Sequence, residues 1–214
     1  MKRYLAELLG TFTLVFCGTG AIVINQQSGG AVTHVGIATT FGLVVMAMIY
    51  TFGSVSGAHL NPAVTLAFRW SGSIGSRDSV AYIGSQVAGA LLASGVLWWL
   101  FPENERLGAT LPAGSAMQSF VLEVLLTFFL MLTILRTSGG DRETRSLAGI
   151  AIGGVVLLEA MFAGPVSGAS MNPARSLSPA AVSGHWQHLW IYLSAPVLGA
   201  LLAVPCSRFF DKNN

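Results

Sequence analysis

Six long apolar stretches alternate with short polar connections along the chain. They run over Leu5–Ile24, Val35–Phe52, Val80–Phe101, Met117–Leu135, Leu147–Gly164 and Leu189–Phe210. Each stretch holds 18 to 22 residues, and a helix needs about 20 apolar residues to cross a bilayer. The pattern therefore predicts six transmembrane helices and an all-α membrane protein.

Two shorter apolar segments, after the second and the fifth stretch, open with nearly the same motif. SGAHLNPAVT occupies Ser56–Thr65 and SGASMNPARS occupies Ser167–Ser176, with six of ten positions identical. Each Asn-Pro-Ala is followed by about nine residues before the next polar break, at Ser71 and Ser183, roughly half of what a bilayer crossing requires. The two segments are therefore predicted to be re-entrant.

Each motif predicts an extended segment followed by a half-helix. Asn61 and Asn172 are good helix caps, and Pro62 and Pro173 suit a first helical turn. Irregular backbone at membrane depth is tolerated only where it lines a cavity or is buried in protein. We therefore expect a row of unpaired, pore-lining carbonyls before each Asn. They belong to Gly57, Ala58, His59, Leu60, Gly168, Ala169, Ser170 and Met171.

The repetition extends beyond the two motifs. The first stretch contains YLAELLGTF around Glu7, and the fourth contains FVLEVLLTF around Glu123. The chain is thus a single domain made of two copies, about residues 1–110 and 111–214, each with three spans and one re-entrant segment. Because three is odd, the second copy is inverted in the membrane relative to the first. The two segments then enter from opposite faces and can meet near the midplane.

Composition limits the possible functions. The chain is 53% hydrophobic and only 9% charged, whereas soluble domains carry about 25% charged residues. A net charge of +2 is too small to indicate nucleic-acid binding. Cys17 and Cys206 lie in apolar runs and do not form a disulfide framework. Neither metal-ligand spacing nor a catalytic constellation is evident, so we expect no metal, no cofactor and no enzymatic activity.

Basic residues indicate the orientation in the membrane. With six spans, nine of the eleven fall on one side: Lys2, Arg3, Arg69, Arg77, Arg136, Arg142, Arg145, Arg208 and Lys212. Only Arg106 and Arg175 fall on the other side. Since cytoplasmic loops collect Lys and Arg, both termini are predicted to be cytoplasmic, with the protein in the cell membrane.

Six spans with two Asn-Pro-Ala segments, together with Glu7 and Glu123, resemble the aquaporin, or major intrinsic protein, family. The segments SGAHLNPAVT and AGPVSGASMNPARSLSPA are most similar to the nodulin-26-like branch and its bacterial relatives. The resemblance implies a right-handed bundle that assembles as a homotetramer with one pore per subunit. It also implies that Glu7 and Glu123 each accept hydrogen bonds from the backbone of a re-entrant segment.

The same resemblance implies a central barrier and an outer selectivity filter. The barrier consists of Asn61, Pro62, Ala63, Asn172, Pro173 and Ala174, and the filter of Phe41, Ala160, Ala169 and Arg175. Arg175 also has an independent argument, since an Arg within a membrane is costly unless it faces water or a polar cavity. Two alanines leave the filter wide and weakly polar. We therefore expect passage of water and small uncharged solutes: glycerol, urea and neutral metalloid acids such as arsenite or boric acid.

Alternatives remain open at the level of the sequence. Ser176 follows Arg175 where glycerol-facilitating relatives usually carry Asp, which keeps a strictly water-selective channel possible. Inverted repeats with broken helices also occur in secondary transporters. The ring of His59 is expected to be packed or hydrogen-bonded rather than to act as a pH gate. Glu159 has Met48 at the matching position of the first repeat and receives no role.

Overall fold

The structure is a computed structural model that describes residues 1–210. Lys212, one of the basic residues assigned above to the cytoplasmic side, lies outside the described residues. Over residues 1–210 the chain forms helices and loops and no strand. The helices are α1 (Lys2–Gln27), α2 (Thr33–Ser56), α3 (Pro62–Ser71), α4 (Ser76–Leu100), α5 (Ala116–Ser138), α6 (Arg142–Ser146), α7 (Ala148–Ser167), α8 (Pro173–Ser183) and α9 (Leu189–Phe209).

Six helices are long and apolar enough to cross a membrane: α1, α2, α4, α5, α7 and α9, with 20 to 26 residues each. The prediction of six spans is confirmed. Several helices continue past the apolar stretches, because polar residues such as Lys2 and Ser56 keep helical hydrogen bonds at the helix ends. Conversely, the predicted spans include Phe101, Leu147 and Phe210, which instead cap α4, α7 and α9.

The two half-helices begin and end where the sequence indicates. α3 and α8 start at the proline of each motif, and Asn61 and Asn172 cap them by accepting from the backbone N–H groups two residues ahead. They end at Ser71 and Ser183, each followed by a glycine in the left-handed conformation. The short helix α6 was not predicted, since five polar residues carry no apolar periodicity.

Helix packing repeats in the two halves. α1 packs on α4 and α2, and in the same way α5 packs on α9 and α7. Each half-helix, however, packs on the third span of the other half: α3 lies against α9, and α8 lies against α4. The halves are thus interlocked as an inverted repeat, and the half-helices lie inside the bundle of six spans.

Two glycines set the closest helix approaches. A Cβ on Gly89 of α4 would overlap the carbonyl oxygen of Leu8 and lie 3.1 Å from the backbone nitrogen of Phe12. A Cβ on Gly199 of α9 would likewise overlap the carbonyl of Val124. In both cases the obstructing atoms belong to the backbone of a neighbouring helix, which cannot move aside as a side chain can.

Gly89→Ala is therefore expected to lower the free energy of unfolding by about 1–3 kcal/mol, the usual cost of overpacking. Gly95→Ala is the matched control, because the position of its Cβ on α4 has nothing within 4 Å. That control should be neutral or slightly stabilising, since alanine favours a helix. Thermal unfolding of both variants in detergent measures the difference, and an equal effect would contradict this account of the α1–α4 contact.

Candidate functional site: a cavity between the two half-loops

A cavity of about 580 Å³ passes through the centre of the bundle. It lies between the two half-loops, which are the non-helical residues 57–61 before α3 and 168–172 before α8. Near the end of the bundle where α1 begins and α9 ends, it is bordered by Tyr50 and Ser146, and towards the other end by Phe41 and Arg175. Between Phe41 and Tyr50 the helix α2 rises about 13 Å. Asn61 and Asn172 border the cavity between these limits. The wall therefore carries two side-chain amides in its middle part.

The backbone before each Asn is not simply extended, and this part of the prediction is wrong. Left-handed φ angles occur at matching positions of the two motifs: Gly57 (85°), Ala58 (47°), Leu60 (52°), Gly168 (83°), Ala169 (42°) and Met171 (53°). His59 and Ser170 interrupt these left-handed positions, and the Asn residues themselves are extended, with φ of −155° and −146°. Non-glycine residues in this region cost about 1–3 kcal/mol each and cluster at functional sites. The same left-handed positions therefore recur in both half-loops, which marks them as part of the site.

The two half-loops bond directly to each other through their Asn side chains. Nδ2 of Asn61 donates to the carbonyl of Met171 at 2.7 Å, and Nδ2 of Asn172 donates to the carbonyl of Leu60 at 2.9 Å. The carbonyls of Leu60 and Met171 are therefore paired, contrary to the expectation that the whole row is free. Each amide has a second N–H, which remains available to donate after these two bonds are made.

A buried carboxylate fastens the first half-loop. Glu7 is 0% exposed. Its Oε1 accepts from Ser56 Oγ at 2.6 Å and from the backbone N–H of His59 at 3.0 Å. Its Oε2 accepts from the backbone N–H of Leu60 at 2.8 Å and from Gln86 Nε2 at 2.7 Å. Four donors thus converge on one side chain and tie the loop to α1.

Glu123 plays the same part in the second half. Its Oε1 accepts from Ser167 Oγ and from the backbone N–H of Ser170, and its Oε2 from the backbone N–H of Met171, each at 2.8 Å. The donors lie 111 residues after those of Glu7. One difference is that Gln86 has no counterpart, since the matching position in α9 is Pro196.

Arg175 is the third residue of α8 and is 2% exposed. One guanidinium nitrogen donates to the carbonyl of Gly108 at 2.8 Å, and the guanidinium carbon lies 5.2 Å from the centre of the Phe41 ring. That distance is within cation–π range. Nε of Arg175 has no hydrogen-bond partner within residues 1–210. The charge is therefore fixed at the cavity wall, and the guanidinium keeps N–H donors beyond the one that bonds Gly108.

Comparison with known proteins decides the family. The family model for major intrinsic proteins matches residues 1–206 of the chain. The chain belongs to the major intrinsic protein family. It is 48% identical to the protein named Aquaporin NIP1-1 from Zea mays, over 99% of this chain and 77% of that protein. It is 44% identical to Nodulin-26 from Glycine max, over 94% of this chain and 74% of that protein.

A solved structure gives the same fold. The chain superimposes on the X-ray structure of the aquaglyceroporin from Plasmodium falciparum with a TM-score of 0.85 and 24% sequence identity, covering 99% of this chain and 95% of the other. The resemblance stated from the motifs is confirmed. The protein is an integral membrane channel for water and small uncharged solutes, and it is not an enzyme.

In this channel, hydroxyl groups connect the outer part of the site. Ser176 Oγ lies 2.5 Å from Ser170 Oγ and accepts from Thr110 Oγ1 at 2.8 Å. The matching pair in the first half is His59 Nδ1 and Thr65 Oγ1, 3.1 Å apart. The His59 ring also stacks on Phe68, so it is packed and hydrogen-bonded, as predicted, while one edge borders the cavity.

The proline and alanine residues of the two Asn-Pro-Ala motifs do not border the cavity, and neither do two of the residues predicted for the filter and the carbonyl row. Gly168 caps α7 beneath Thr110, whose Cγ2 lies 3.0 Å from where a Cβ of Gly168 would stand. Ala160 packs in an apolar cluster with Ala38 and Ala163, and its methyl group ends short of the cavity. Phe41, Ala169 and Arg175 do border it.

Sequence reasoning missed the connection between α4 and α5, which supplies Gly108 and Thr110 to the site. The available signal was Gly108 itself, which has a φ of 74° and leaves no room for a Cβ beside Thr19.

Glu159 is 5% exposed, and its Oε2 has no partner in the described part of the chain. Within that same part, no group of three His, Cys, Asp or Glu side chains could hold a metal ion.

Proposed function

We propose that this channel conducts small hydroxylated or amide solutes in addition to water: glycerol, urea and neutral metalloid acids such as arsenite or boric acid. The observation that carries the proposal is the composition of the outer filter. Ala169 contributes only a methyl group to the wall that also holds the Phe41 ring and the Arg175 guanidinium, and Ala160 stops short of the cavity. A solute wider than water has room beside Phe41 and Arg175, since neither alanine narrows the opening.

The filter handles the two faces of such a solute differently. The terminal N–H groups of the Arg175 guanidinium that do not bond Gly108 donate to a hydroxyl or carbonyl oxygen of the solute. Phe41 and Ala169 contact its carbon skeleton, and Ala160 lies behind this wall. A polyol fits this division between polar and apolar walls, whereas an ion would lose its hydration shell without adequate replacement.

The centre of the pore excludes cations and protons. The half-helices α3 and α8 both begin at the cavity, and each helix N-terminus carries roughly +0.5 of a charge. The second hydrogens of the Asn61 and Asn172 amides donate to a passing oxygen, which orients each water and interrupts the donor chain that proton hopping needs. Uncharged solutes cross without this penalty.

Ala160→His tests the solute range. A ring at this position reaches the cavity that the methyl group does not, and it narrows the filter beside Phe41. We expect solute flux to fall about 10- to 200-fold, the usual effect of a steric mismatch, with osmotic water flux retained. Stopped-flow light scattering on proteoliposomes with water, glycerol, urea and arsenite measures both.

Ala160→Ser is the matched control, because serine is nearly as small as alanine and should retain solute flux. Wild-type channels that pass water but none of the solutes would contradict the proposal and favour the strictly water-selective alternative. Flux that depends on a proton or sodium gradient would instead indicate a transporter.

Assembly and orientation form part of the same proposal. The chain is one domain of two halves, about residues 1–110 and 111–214, and four copies assemble in the cell membrane with one pore each. Both termini face the cytoplasm, since basic residues gather at the end of the bundle that carries Arg3, Arg69 and Arg208. The mass of the purified channel in detergent tests the tetramer.

A further inference from the structure

Pro165 interrupts the hydrogen bonds of α7 just beyond the filter. It lies inside the helix Ala148–Ser167. A proline has no N–H, so the carbonyl four residues earlier, that of Met161, loses its usual helical donor. In a membrane protein such freed backbone groups are satisfied by neighbouring helices or side chains.

His34 supplies the missing donor from a different helix. Its Nε2 lies 2.6 Å from the carbonyl oxygen of Met161. Because a carbonyl can only accept, the hydrogen is on Nε2. The ring is seated on Gly164, where a Cβ would lie 2.8 Å from the imidazole Cε1. One helix turn of α7 thus provides both an unsatisfied acceptor and a space without a side chain for this imidazole.

The position of the contact relates it to the filter. Met161 directly follows Ala160, and His34 lies seven residues, about two turns, before Phe41 on α2. Between His34 and Phe41, Ala38 is 0% exposed and packs in one cluster with Ala160. The contact therefore joins the two helices that carry two of the four filter residues.

Elsewhere these two helices are held by close packing alone. A Cβ on Gly42 of α2 would lie 2.7 Å from the carbonyl of Gly153 of α7. The backbones therefore touch directly after Phe41 on α2 and about two turns before Ala160 on α7. Within residues 1–210, the bond from His34 to Met161 is the one hydrogen bond that joins α2 to α7. Beyond the touching glycines, the distance between the two helices depends on it.

We propose that His34 is a positioning residue for the outer filter. It replaces the helical N–H that Pro165 removes, fixes α7 to α2 beside Ala160 and Phe41, and so sets the width of solute that the filter admits. The proposal rests on the solute range proposed above. It concerns a residue that does not touch the solute and acts only through the positions of two helices.

The decisive experiment removes and restores the donor. His34→Phe keeps an aromatic ring on Gly164 but has no donor, whereas His34→Gln places an amide N–H at a similar reach. Pro165→Ala returns a backbone N–H to the Met161 carbonyl and makes the imidazole dispensable. His185→Phe is the control, because His185 bonds Ser183 in its own loop.

The measured quantity is the permeability to four- and five-carbon polyols relative to glycerol and to water, in proteoliposomes. We expect His34→Phe to raise this ratio about two- to tenfold, the effect of one lost hydrogen bond. His34→Gln and His185→Phe should match the wild type. In the Pro165→Ala background, His34→Phe should change the permeability ratio by less than half of the change that it causes when Pro165 is present.

Several results would overturn the proposal. One is a His34→Phe variant with a lower unfolding temperature and an unchanged permeability ratio, which would make the contact structural only. Another is an effect of equal size in the Pro165→Ala background. If that background does not fold, the comparison of Phe with Gln decides alone. If the wild type passes water and no polyol, the proposed solute range fails. In that case glycerol flux through His34→Phe would still support the positioning role of His34, and its absence would overturn that role.

Discussion

Glu123→Gln should cause the largest loss of folded channel among single conservative substitutions. Both carboxylate oxygens accept from loop donors. A glutamine in the same place must point its NH₂ group at one of them, so a backbone N–H and the new amide both lose their partners. Each unsatisfied buried group costs about 1–3 kcal/mol. We expect a loss of about 2–6 kcal/mol and little functional protein.

Glu7→Gln provides the comparison, since it makes the same chemical change in the first half-loop. There Gln86 lies beside the carboxylate, and its Oε1 has no partner in the described residues. By turning its amide, Gln86 can accept from the new NH₂ group, although it then no longer donates to Thr65 Oγ1 and its own NH₂ group takes the place of the unpartnered Oε1. The number of buried groups without a partner therefore rises by one, the loop N–H. The unfolding temperatures of the two variants and their water flux measure the asymmetry. A cost for Glu7→Gln equal to or above that for Glu123→Gln would contradict it.

Arg175→Gln is expected to let cations and protons through the filter. The fixed charge contributes an unfavourable interaction of about 4 kcal/mol with a monovalent cation 4 Å away at an effective dielectric of 20. Removing it raises cation entry by roughly a thousandfold at most. Conductance in planar bilayers and the decay of a pH gradient in proteoliposomes report the leak.

Arg175→Lys keeps the charge and is the control for this experiment. The ammonium should keep protons out, although it cannot hold the Gly108 carbonyl and lie across the cavity with the same rigid fork. A proton-tight Arg175→Gln channel would show that the half-helix ends alone form the barrier. In that case Arg175 contributes to solute binding and not to charge exclusion.

Much of the fold was predictable because it follows from short-range rules. Spans are fixed by length and hydropathy, and the half-helices by an Asn-Pro start and a polar end at Ser71 and Ser183. The inverted arrangement follows from an odd number of spans per repeat. Glu7 and Glu123 were detectable because an ionisable side chain inside a span needs partners.

The remainder of the site left weaker traces in the sequence. Ala58 and Leu60 adopt left-handed φ angles that their residue types do not favour, so neither indicates a turn. The acceptor for Arg175 is a backbone carbonyl, that of Gly108, which any residue could offer. The contact of His34 with Met161 depends on a proline in a distant helix. Such contacts require the tertiary arrangement before they can be recognised.

The exchange of Asn amides between the half-loops has a consequence for biogenesis. Asn61 finds its acceptor on Met171, and Leu60 finds its donor on Asn172. The ribosome makes these partners about 110 residues later, a delay of roughly 5–20 s at ordinary rates of synthesis. During that interval the first half-loop cannot complete its hydrogen bonds, so it should settle at the midplane only after the second half of the chain has entered the bilayer.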